Sequence, residues 1–392
     1  MVAETAQQFE ALEAQAARIM GVFTEGGYER VAPSIIQPAD LFLDVVGESL
    51  RARTYVFTDQ EGEELCLRPD LTLPACRIYL ERHPQADAPA RLCYNGSAFR
   101  FQPGGGSAAH PREFRQAGIE SFAAPDDAAA DVEILRLTLK AIRVAGVNHI
   151  QLRVGDLGLF GALLSAVRMP ERWRTRLRHL FWRPDAFRAE LKRLATAPAE
   201  AIDGLPYDLV VGLEPEDPAG TEELVALYLE KEDMEAIGVR TVVEIAEILR
   251  SAVADARAEP LAPDVAELIE RYLTIAGPVG SILARVQELT RAQRIDISEA
   301  VDAFERRMAL LSVGGVDIEE ADFSAEFGRN FEYYTGFVFE VLSAKLGPKS
   351  PLAGGGRYDR MLKTAGAGKD VPAVGAAIYT ERVLLAVEEA AP

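Results

Sequence analysis

The chain has 392 residues, 48% of them hydrophobic and 26% charged, which is the composition of a folded protein and excludes an intrinsically disordered one. Its length exceeds what one hydrophobic core usually serves, so we expect two domains or one large domain with an insertion. The 42 basic and 61 acidic residues give a formal net charge of -19. This balance argues against a nucleic-acid partner, because such binding relies on Lys and Arg neutralising phosphates.

Few residues are available for metal or redox chemistry. The cysteines, Cys66, Cys76 and Cys93, are odd in number and lack CxxC spacing, and the sequence has four histidines, so we expect neither a metal site nor a cofactor. The N-terminus lacks the pattern of a secretory signal, and no run of about eighteen apolar residues occurs. We therefore expect a cytoplasmic protein without a membrane segment.

The first 155 residues mix helices and hairpins. Hydrophobic periodicity predicts helices over 5–25, 72–80 and 131–145. Strands are predicted over 31–36 and 149–154 and in two hairpins, 54–58 with 63–68 and 91–101 with 113–122. Because these elements show no βαβ alternation, they favour an α+β fold with an antiparallel sheet.

The middle of the chain, from about residue 158, reads as a series of helices separated by prolines and glycines. Strands are predicted again at 323–327, 336–342 and 373–378, with a glycine loop at 354–356 and helices near 357–364 and 380–389. We therefore predict one domain formed by residues 1–157 and 316–392, interrupted by a helical insertion at 158–315.

Asp70 and Thr72 stand where a predicted strand turns into a helix. A carboxylate and a hydroxyl presented together suit an amino group as ligand, with Asp70 supplying the counter-charge. A cap of the following helix is the alternative, and it is the better interpretation of this segment in isolation.

The second long strand carries polar residues on one face. Side chains alternate along a strand, so Arg112, Gln116, Gly118 and Glu120 share that face. Such a face suits a small polar ligand better than a dry core, with the glycine leaving room for it. A solvent-exposed face with ion pairs remains the alternative.

Arg329, Tyr333 and Tyr334 precede another predicted strand. A positive charge together with phenolic hydroxyls suits a ligand that has a carboxylate and an aromatic ring. As chemistry alone this is a weak signal, but the order of residues in the segment 327–340 is specific.

Four segments resemble, in order, the motifs of class II aminoacyl-tRNA synthetases and of histidyl-tRNA synthetases in particular. They are the amino-group site at 67–72, the second signature motif at 91–122, the histidine-recognition run at 327–340 and the third signature motif at 354–382. The resemblance covers residues 1 to about 155 and 320 to 392. It implies a class II synthetase-like antiparallel sheet flanked by helices, and a homodimer.

Carried onto this sequence, the resemblance implies a histidine pocket. Asp70 and Thr72 would hold the amino group. Arg100, Gln116 and Arg329 would lie around the carboxylate. Glu120, Tyr334 and Tyr358 would bound the imidazole ring.

The departures from the synthetase pattern fall on the ATP and tRNA side. Gln102 replaces a glutamate that faces ATP, the loop 103–111 has no Lys or Arg, and Tyr379 replaces a glycine beside the nucleotide. In the synthetases an anticodon-binding domain follows the third motif, whereas this sequence has ten residues after Arg382. We expect a chain that does not read tRNA.

This asymmetry resembles the family of ATP phosphoribosyltransferase regulatory subunits. The resemblance implies a non-catalytic subunit that binds histidine, pairs with the short-form ATP phosphoribosyltransferase catalytic subunit and controls the first step of histidine biosynthesis. The alternative is a stand-alone histidine-activating or amino-acid-ligating enzyme, which Arg329, Glu381 and Arg382 keep open.

The segment 172–193 is a basic island, with eight Lys and Arg residues among aromatic ones. Such a mixture is compatible with nucleic acid or with an acidic protein surface, of which the acidic partner fits this chain better. A pair of amphipathic helices with a solvated basic side is the interpretation that we favour.

Overall fold

The computed structural model describes residues 5–45, 48–196, 213–214, 216–231, 241–319, 321–328 and 333–387. None of the helices in these stretches combines the length and the apolar composition that crossing a bilayer requires.

The strands are short at the edges and long at the centre of the fold. They are β1 (Glu29–Arg30), β2 (Ile36–Pro38), β3 (Tyr55–Thr58), β4 (Glu64–Leu67), β5 (Ala90–Phe99), β6 (Glu113–Phe122), β7 (Gln151–Asp156), β8 (Ala276–Pro278), β9 (Asp322–Ser324), β10 (Phe337–Leu342), β11 (Ala353–Arg357) and β12 (Ala373–Tyr379).

Helices occupy most of the remaining described chain. They are α1 (Ala6–Glu25), α2 (Ala39–Val45), α3 (Glu48–Arg51), α4 (Thr72–Arg82), α5 (Asp127–Val144), α6 (Leu157–Ala166), α7 (Glu171–Leu180), α8 (Pro184–Leu194), α9 (Pro218–Lys231), α10 (Val242–Arg257), α11 (Pro263–Leu273), α12 (Val279–Ala292), α13 (Ser298–Val313) and α14 (Thr380–Ala386), with a π-helix at Lys363–Ala367.

Within the described residues, nine strands form one sheet in the order β1-β5-β6-β12-β11-β10-β7-β9-β8, and β2-β4-β3 form a small second sheet. The pairs from β5 to β7 are antiparallel, as are β8 with β9, whereas β1 with β5 and β7 with β9 are parallel. The α+β class and the sheet flanked by helices are therefore confirmed, with a mixed sheet whose centre is antiparallel.

Helix α1 shows how sequence fixes an element on this sheet. Thr5 and Gln8 form a capping box, in which each side chain accepts a hydrogen bond from the other's backbone amide and satisfies an end donor of the helix. Leu12, Ile19 and Phe23 recur at helical spacing and are buried, and the helix packs on α5.

Contacts divide the chain into two compact units, Met1–Ala166 with Arg271–Pro392, and Val167–Glu270. The predicted insertion, 158–315, is wider at both ends, because α6, α12 and α13 belong to the first unit. Strand β8 explains the later boundary: it pairs with β9 in the large sheet, although its sequence, Ala-Gly-Pro, carries no strand pattern. The assignment of 158–315 to a separate domain stays a prediction.

Three predicted elements differ in the structure. Of the strand predicted over 31–36 only Ile36 lies in a strand, and β1 and β2 flank Pro33, which has no amide hydrogen for a sheet. The predicted glycine loop 354–356 is part of the buried strand β11. Glycine is needed there because a Cβ on Gly355 or Gly356 would lie 2.4 or 2.6 Å from the carbonyl oxygen of a neighbouring strand. The predicted helix near 357–364 is replaced by a turn and the π-helix, whose Gly366 has a φ of 112°.

In the second unit the basic island 172–193 forms α7, α8 and the turn between them. Its aromatic residues Trp173, Phe181 and Phe187 are buried. The carboxylate of Asp255 accepts hydrogen bonds at 2.6–3.0 Å from Arg172, Trp173, Arg176 and Arg193. Burial raises the pKa of Asp255, but these hydrogen bonds outweigh burial and lower it to about 2. The island is a pair of helices, as we favoured, but three of its eight basic side chains bind one buried carboxylate and do not form a wholly solvated side.

A buried ionic network ties the first unit together. Asp131 on α5 is fully buried and accepts from Arg307 of α13 at 2.7 Å and from Arg357 of β11 at 2.8 Å. Arg307 also donates to Asp156 at the end of β7 at 2.8 Å. Paired charges at such a depth are costly to separate, because removing one partner leaves the other without compensation.

Replacing Arg307 by alanine should lower the free energy of unfolding by about 3–5 kcal/mol, since Asp131 and Asp156 would stay buried with one partner fewer. Urea unfolding followed by circular dichroism measures the loss. Arg306→Ala is the matched control on the same helix: its pair with Asp126 is 58% and 39% exposed, so we expect a loss below about 1 kcal/mol. Equal losses in the two variants would contradict this account.

Candidate functional site

A pocket opens over the centre of the large sheet, where the N-terminus of α4 faces β5, β6, β11 and β12. It encloses about 320 Å³, part of it open to solvent. Six of the predicted site residues line it together: Asp70, Thr72, Arg100, Gln116, Tyr334 and Tyr358. Residues from distant parts of the sequence therefore meet in one cavity.

Asp70 and Thr72 line the pocket at the start of α4, and both are almost fully buried. The Leu73 amide donates to Asp70 Oδ1 at 3.5 Å, so the capping contact is long and weak. Burial raises the pKa of the Asp70 carboxyl, and the positive charge of Arg100 opposes that rise. A buried carboxylate with a hydroxyl beside it provides the charge and the acceptor that an ammonium group requires.

Arg100 and Gln116 are fixed by their neighbours at the next part of the wall. Arg100 Nε donates to the carbonyl of Pro69 at 2.7 Å, and its guanidinium lies 4.9 Å from the ring centroid of Phe114. The Gln116 amide oxygen accepts from the Leu71 amide at 3.2 Å, which leaves its amide nitrogen as the donor for a ligand. The two side chains present donors suited to a carboxylate.

Tyrosine rings also line the pocket. Tyr333 and Tyr334 have ring centroids 4.6 Å apart, and Tyr333 meets Tyr358 edge-to-face at 5.9 Å. The hydroxyl of Tyr358 donates to Glu120 Oε2. Aromatic faces with a hydroxyl and a carboxylate behind them suit a flat, polar ring.

Glu120 lies directly behind this wall and is fully buried. Its Oε1 accepts from the Tyr94 hydroxyl at 2.7 Å, while its Oε2 accepts from Tyr358. Burial raises the pKa of Glu120 to about 7, although the hydrogen bonds from Tyr358, Tyr94 and Thr72 act to lower it. The carboxyl group therefore titrates near neutral pH.

Tyr94 is a site residue that the sequence analysis did not identify. It stands opposite Gly118 in the β5–β6 register, and a Cβ at that glycine would lie 2.5 Å from the tyrosine ring. The space that we assigned to a ligand at Gly118 is therefore filled by Tyr94, and that expectation was wrong. A glycine facing a tyrosine on the neighbouring strand was the available signal.

The structure decides whether the polar face of β6 is buried or exposed. Gln116 and Glu120 are buried, so the alternative of a solvent-exposed strand face is wrong. Arg112 is exposed and precedes β6, with its guanidinium 5.7 Å from the Phe101 ring centroid. Arg329 lies outside the described residues. Ligand binding by the remaining predicted site residues stays a prediction; they are Asp70, Thr72, Arg100, Gln116, Glu120, Tyr334 and Tyr358.

A second pocket of about 490 Å³ adjoins the first and shares Arg100 and Tyr379 with it. The guanidinium of Arg382 lies 4.1 Å from the Tyr379 ring centroid. Its three nitrogens donate to Ala109 O at 2.8 Å, to Pro351 O at 2.9 Å and to His110 Nδ1 at 3.0 Å. Arg382 thus fastens the glycine-rich loop 103–111 to the body of the domain.

No group of three or more His, Cys, Asp and Glu residues in the described part of the chain is arranged to hold a metal ion. The three cysteines are buried, and burial raises the pKa of each, so the neutral thiol predominates at neutral pH.

Comparison with known proteins gives one consistent family. The family model described as histidyl-tRNA synthetase matches residues 4–207 and 229–383. An ATP phosphoribosyltransferase regulatory subunit from Brucella anthropi is 33% identical over 365 residues, 92% of this chain and 94% of that protein. One from Agrobacterium fabrum is 33% identical over 369 residues, 94% of this chain and 95% of that protein.

The fold has solved relatives as well. A Bacillus halodurans structure described as an ATP phosphoribosyltransferase regulatory subunit/histidyl-tRNA synthetase superposes with a TM-score of 0.69. It is 19% identical in sequence, and the match covers 99% of this chain and 82% of that one. At this identity the likeness concerns the fold.

The buried carboxyl of Glu120 should make folding stability depend on pH. A pKa raised from 4.5 to about 7 means that the folded state favours the protonated form. The resulting stabilisation is complete below pH 4.5 and is lost as the pH rises through about 7, a change on the order of 3 kcal/mol. Chemical unfolding of Glu120→Gln should lack this part of the pH dependence. Parallel pH profiles of the wild type and the variant would contradict the assignment.

Proposed function

Because the chain belongs to the histidyl-tRNA synthetase-like family of ATP phosphoribosyltransferase regulatory subunits, we propose that it is a non-catalytic subunit which binds histidine and controls a short-form ATP phosphoribosyltransferase. In this proposal the partner carries the catalytic activity, and histidine acts as feedback effector of the first step of histidine biosynthesis. The complex assembles in the cytoplasm, and this chain contributes a homodimer to it.

The chemistry of the first pocket supports histidine as ligand. Asp70 and Thr72 offer a counter-charge and an acceptor to the amino group. Arg100 and Gln116 offer donors to the carboxylate. Glu120 and Tyr358, which are joined by a hydrogen bond, would bound the imidazole ring.

The condition of the second pocket is the observation that carries the non-catalytic role. In the resemblance this pocket corresponds to the ATP side, where Arg382 would face phosphates. Here all three guanidinium nitrogens of Arg382 donate to protein atoms, and its flat face covers Tyr379. Tyr379 also packs against Phe114, with ring centroids 5.8 Å apart. The ring of Tyr379 therefore fills the space next to the guanidinium of Arg382. In this proposal the second pocket does not take ATP, so no aminoacyl adenylate forms.

Control of the partner requires two conformations of the complex that bind histidine with different affinity. A coupling free energy of about 1–3 kcal/mol is typical of such control, and it acts in both directions. Occupancy of the catalytic subunit by its own substrates should therefore change histidine affinity by the same factor by which histidine changes theirs.

Asp70→Asn should weaken histidine binding by about tenfold to a hundredfold, because the variant loses a buried charge-assisted contact to the amino group. Calorimetry measures this affinity, and activity of the mixed complex measures regulation. We expect the variant to support the partner's activity while losing inhibition by histidine at concentrations that inhibit the wild-type complex.

The exposed Asp87, altered to Asn, is the matched control and should leave both measurements unchanged. The proposal fails if the wild-type protein neither binds histidine nor changes the activity of a short-form ATP phosphoribosyltransferase when the two are mixed.

The rival function, a histidine-activating enzyme, makes an opposite prediction. We expect no histidine-dependent exchange of pyrophosphate into ATP above background, and no ATP binding by the wild type at millimolar concentration. Tyr379→Ala should open the aromatic position beside Arg382 and make nucleotide binding detectable with a fluorescent ATP analogue. Measurable exchange by the wild-type protein would favour the enzyme.

A further inference from the structure

The loop 103–111 forms part of the wall of the second pocket. Residues 103–108 are exposed, whereas Ala109, His110 and Pro111 are half-buried and line the pocket. Gly104 and Gly105 have φ values of 80° and 100°, which bend the exposed part in a way that favours glycine. The residues that meet the body of the domain are therefore those at the end of the loop.

His110 is held from two sides. Its Nδ1 lies 3.0 Å from Nη2 of Arg382 on α14, and its Nε2 lies 3.0 Å from Oγ of Ser350 in the segment before β11. Arg382 Nε also donates to the carbonyl of the preceding residue, Ala109, at 2.8 Å. We call the contacts of His110 with Arg382 and Ser350 the His110 clasp, since they join the loop to both of these segments.

These partners fix the tautomer of the His110 ring. A guanidinium group only donates, so Nδ1 has to carry the lone pair and Nε2 the hydrogen. The Nε2 hydrogen then donates to the Ser350 hydroxyl. This direction excludes a nucleophile and base pair, because the nitrogen that meets the hydroxyl has no lone pair to take its proton. The His110 clasp requires a neutral ring.

Protonation of His110 would remove one half of the clasp. A hydrogen on Nδ1 would point at Arg382 Nη2, so that two donors and two positive charges would face each other at 3.0 Å. Nε2 keeps its hydrogen in the charged ring, so the contact with Ser350 can persist. The contact to α14 is therefore the one that depends on protonation.

The charges around His110 favour its neutral form. Burial lowers the pKa of His110 below its usual 6.5, and the positive charges of Arg382 on α14 and Arg53 after α3 lower it further. Glu381 also lines the pocket, and its carboxylate accepts from the Arg115 amide at 2.7 Å. The remaining neighbours are the cation Arg100, which lines the pocket, and the uncharged Ser350 and Pro351 before β11.

We propose that the loop 103–111 is a strap which neutral His110 keeps fastened to α14 and which is released when His110 takes up a proton. The proton comes from solvent and binds at Nδ1, and the hydrogen bond from Arg382 Nη2 breaks. Release withdraws one of the three acceptors that hold the Arg382 guanidinium, so the second pocket opens. This device is independent of histidine binding.

The direction of the pH dependence follows from the pKa. Folding lowers the pKa of His110, so the folded state favours the neutral ring. The stabilisation by the clasp is therefore complete above pH 6.5 and is lost as the pH falls from 6.5 through the pKa of the folded state.

Nuclear magnetic resonance of the full-length protein labelled with ¹⁵N-histidine tests the tautomer. His110 is one of four histidines, and its signals are those that disappear in His110→Asn. At pH 8 we expect the hydrogen on Nε2 and a bare Nδ1. Lowering the pH gives the protonation curve of this ring, which should lie below pH 6.5.

A nitroxide on Ala108→Cys reports the mobility of the loop by electron spin resonance. Ala108 is exposed, whereas the three native cysteines are buried, so the label attaches selectively. Between pH 8 and pH 5 the ratio of mobile to immobile label should rise at least about tenfold, because a hydrogen bond from a charged donor is lost. The rise should follow the protonation curve of His110, while circular dichroism shows an intact fold.

Three variants in the labelled background separate the clasp from other effects of acid. His110→Asn places an amide oxygen near the position of Nδ1 and does not titrate, so the label should stay immobile at every pH. His110→Ala has no acceptor there, so the label should be mobile at every pH. His149→Asn makes the same change at an exposed histidine and is the matched control, which should respond like the wild type.

Loop mobility that stays constant while His110 becomes protonated overturns the proposal. A full pH response in His110→Asn, or a ring that carries its hydrogen on Nδ1 at pH 8, does so as well. None of these measurements involves histidine as ligand or the catalytic subunit, so the regulatory function stands or falls separately.

Discussion

The ion pairs of Asp131 are the contacts on which the site depends most. Arg357, one of its two arginines, also donates to Asp359 and Asp127 at 3.0 Å. The carbonyl of Arg357 accepts from the Thr335 amide at 2.8 Å, and the Thr335 hydroxyl accepts from the Asp359 amide at 3.1 Å. Tyr334 and Tyr358 are the chain neighbours of these residues, so the buried network fixes both sides of the aromatic end of the pocket. Stability and pocket geometry thus share one set of charges.

The sequence indicates that glycines leave room for a ligand or form a loop, but in the structure they leave room for other parts of the protein. Gly118 gives its space to Tyr94, Gly375 gives its space to Glu120, and Gly355 and Gly356 allow β11 to lie close to its neighbours. A Cβ added at any of these glycines would clash with another protein atom. The glycines therefore form the pocket indirectly, because they admit buried polar side chains under its floor and not because they leave a cavity for the ligand.

Much of the fold was predictable because its long elements have strong local patterns. Helix α1 and strands β5 and β6 appear within two residues of the predicted bounds, since each carries a clear period. Strands β1, β8 and β9 are two or three residues long, and their pairing depends on partners far away in the chain. Six residues that line one pocket could be predicted because they lie in specific sequence motifs. Tyr94 was missed because its role arises only from its register with Gly118 on the neighbouring strand.

Strand β12 contributes residues to both pockets. Gly375 on β12 floors the first pocket, and Tyr379, four residues later and on the same face, stands between the two. Arg100 lines both, so a change in the second pocket that moves this arginine alters the donors available in the first. The guanidinium of Arg382 contacts both the loop 103–111 and the ring of Tyr379, so it links this loop to a residue that lines both pockets.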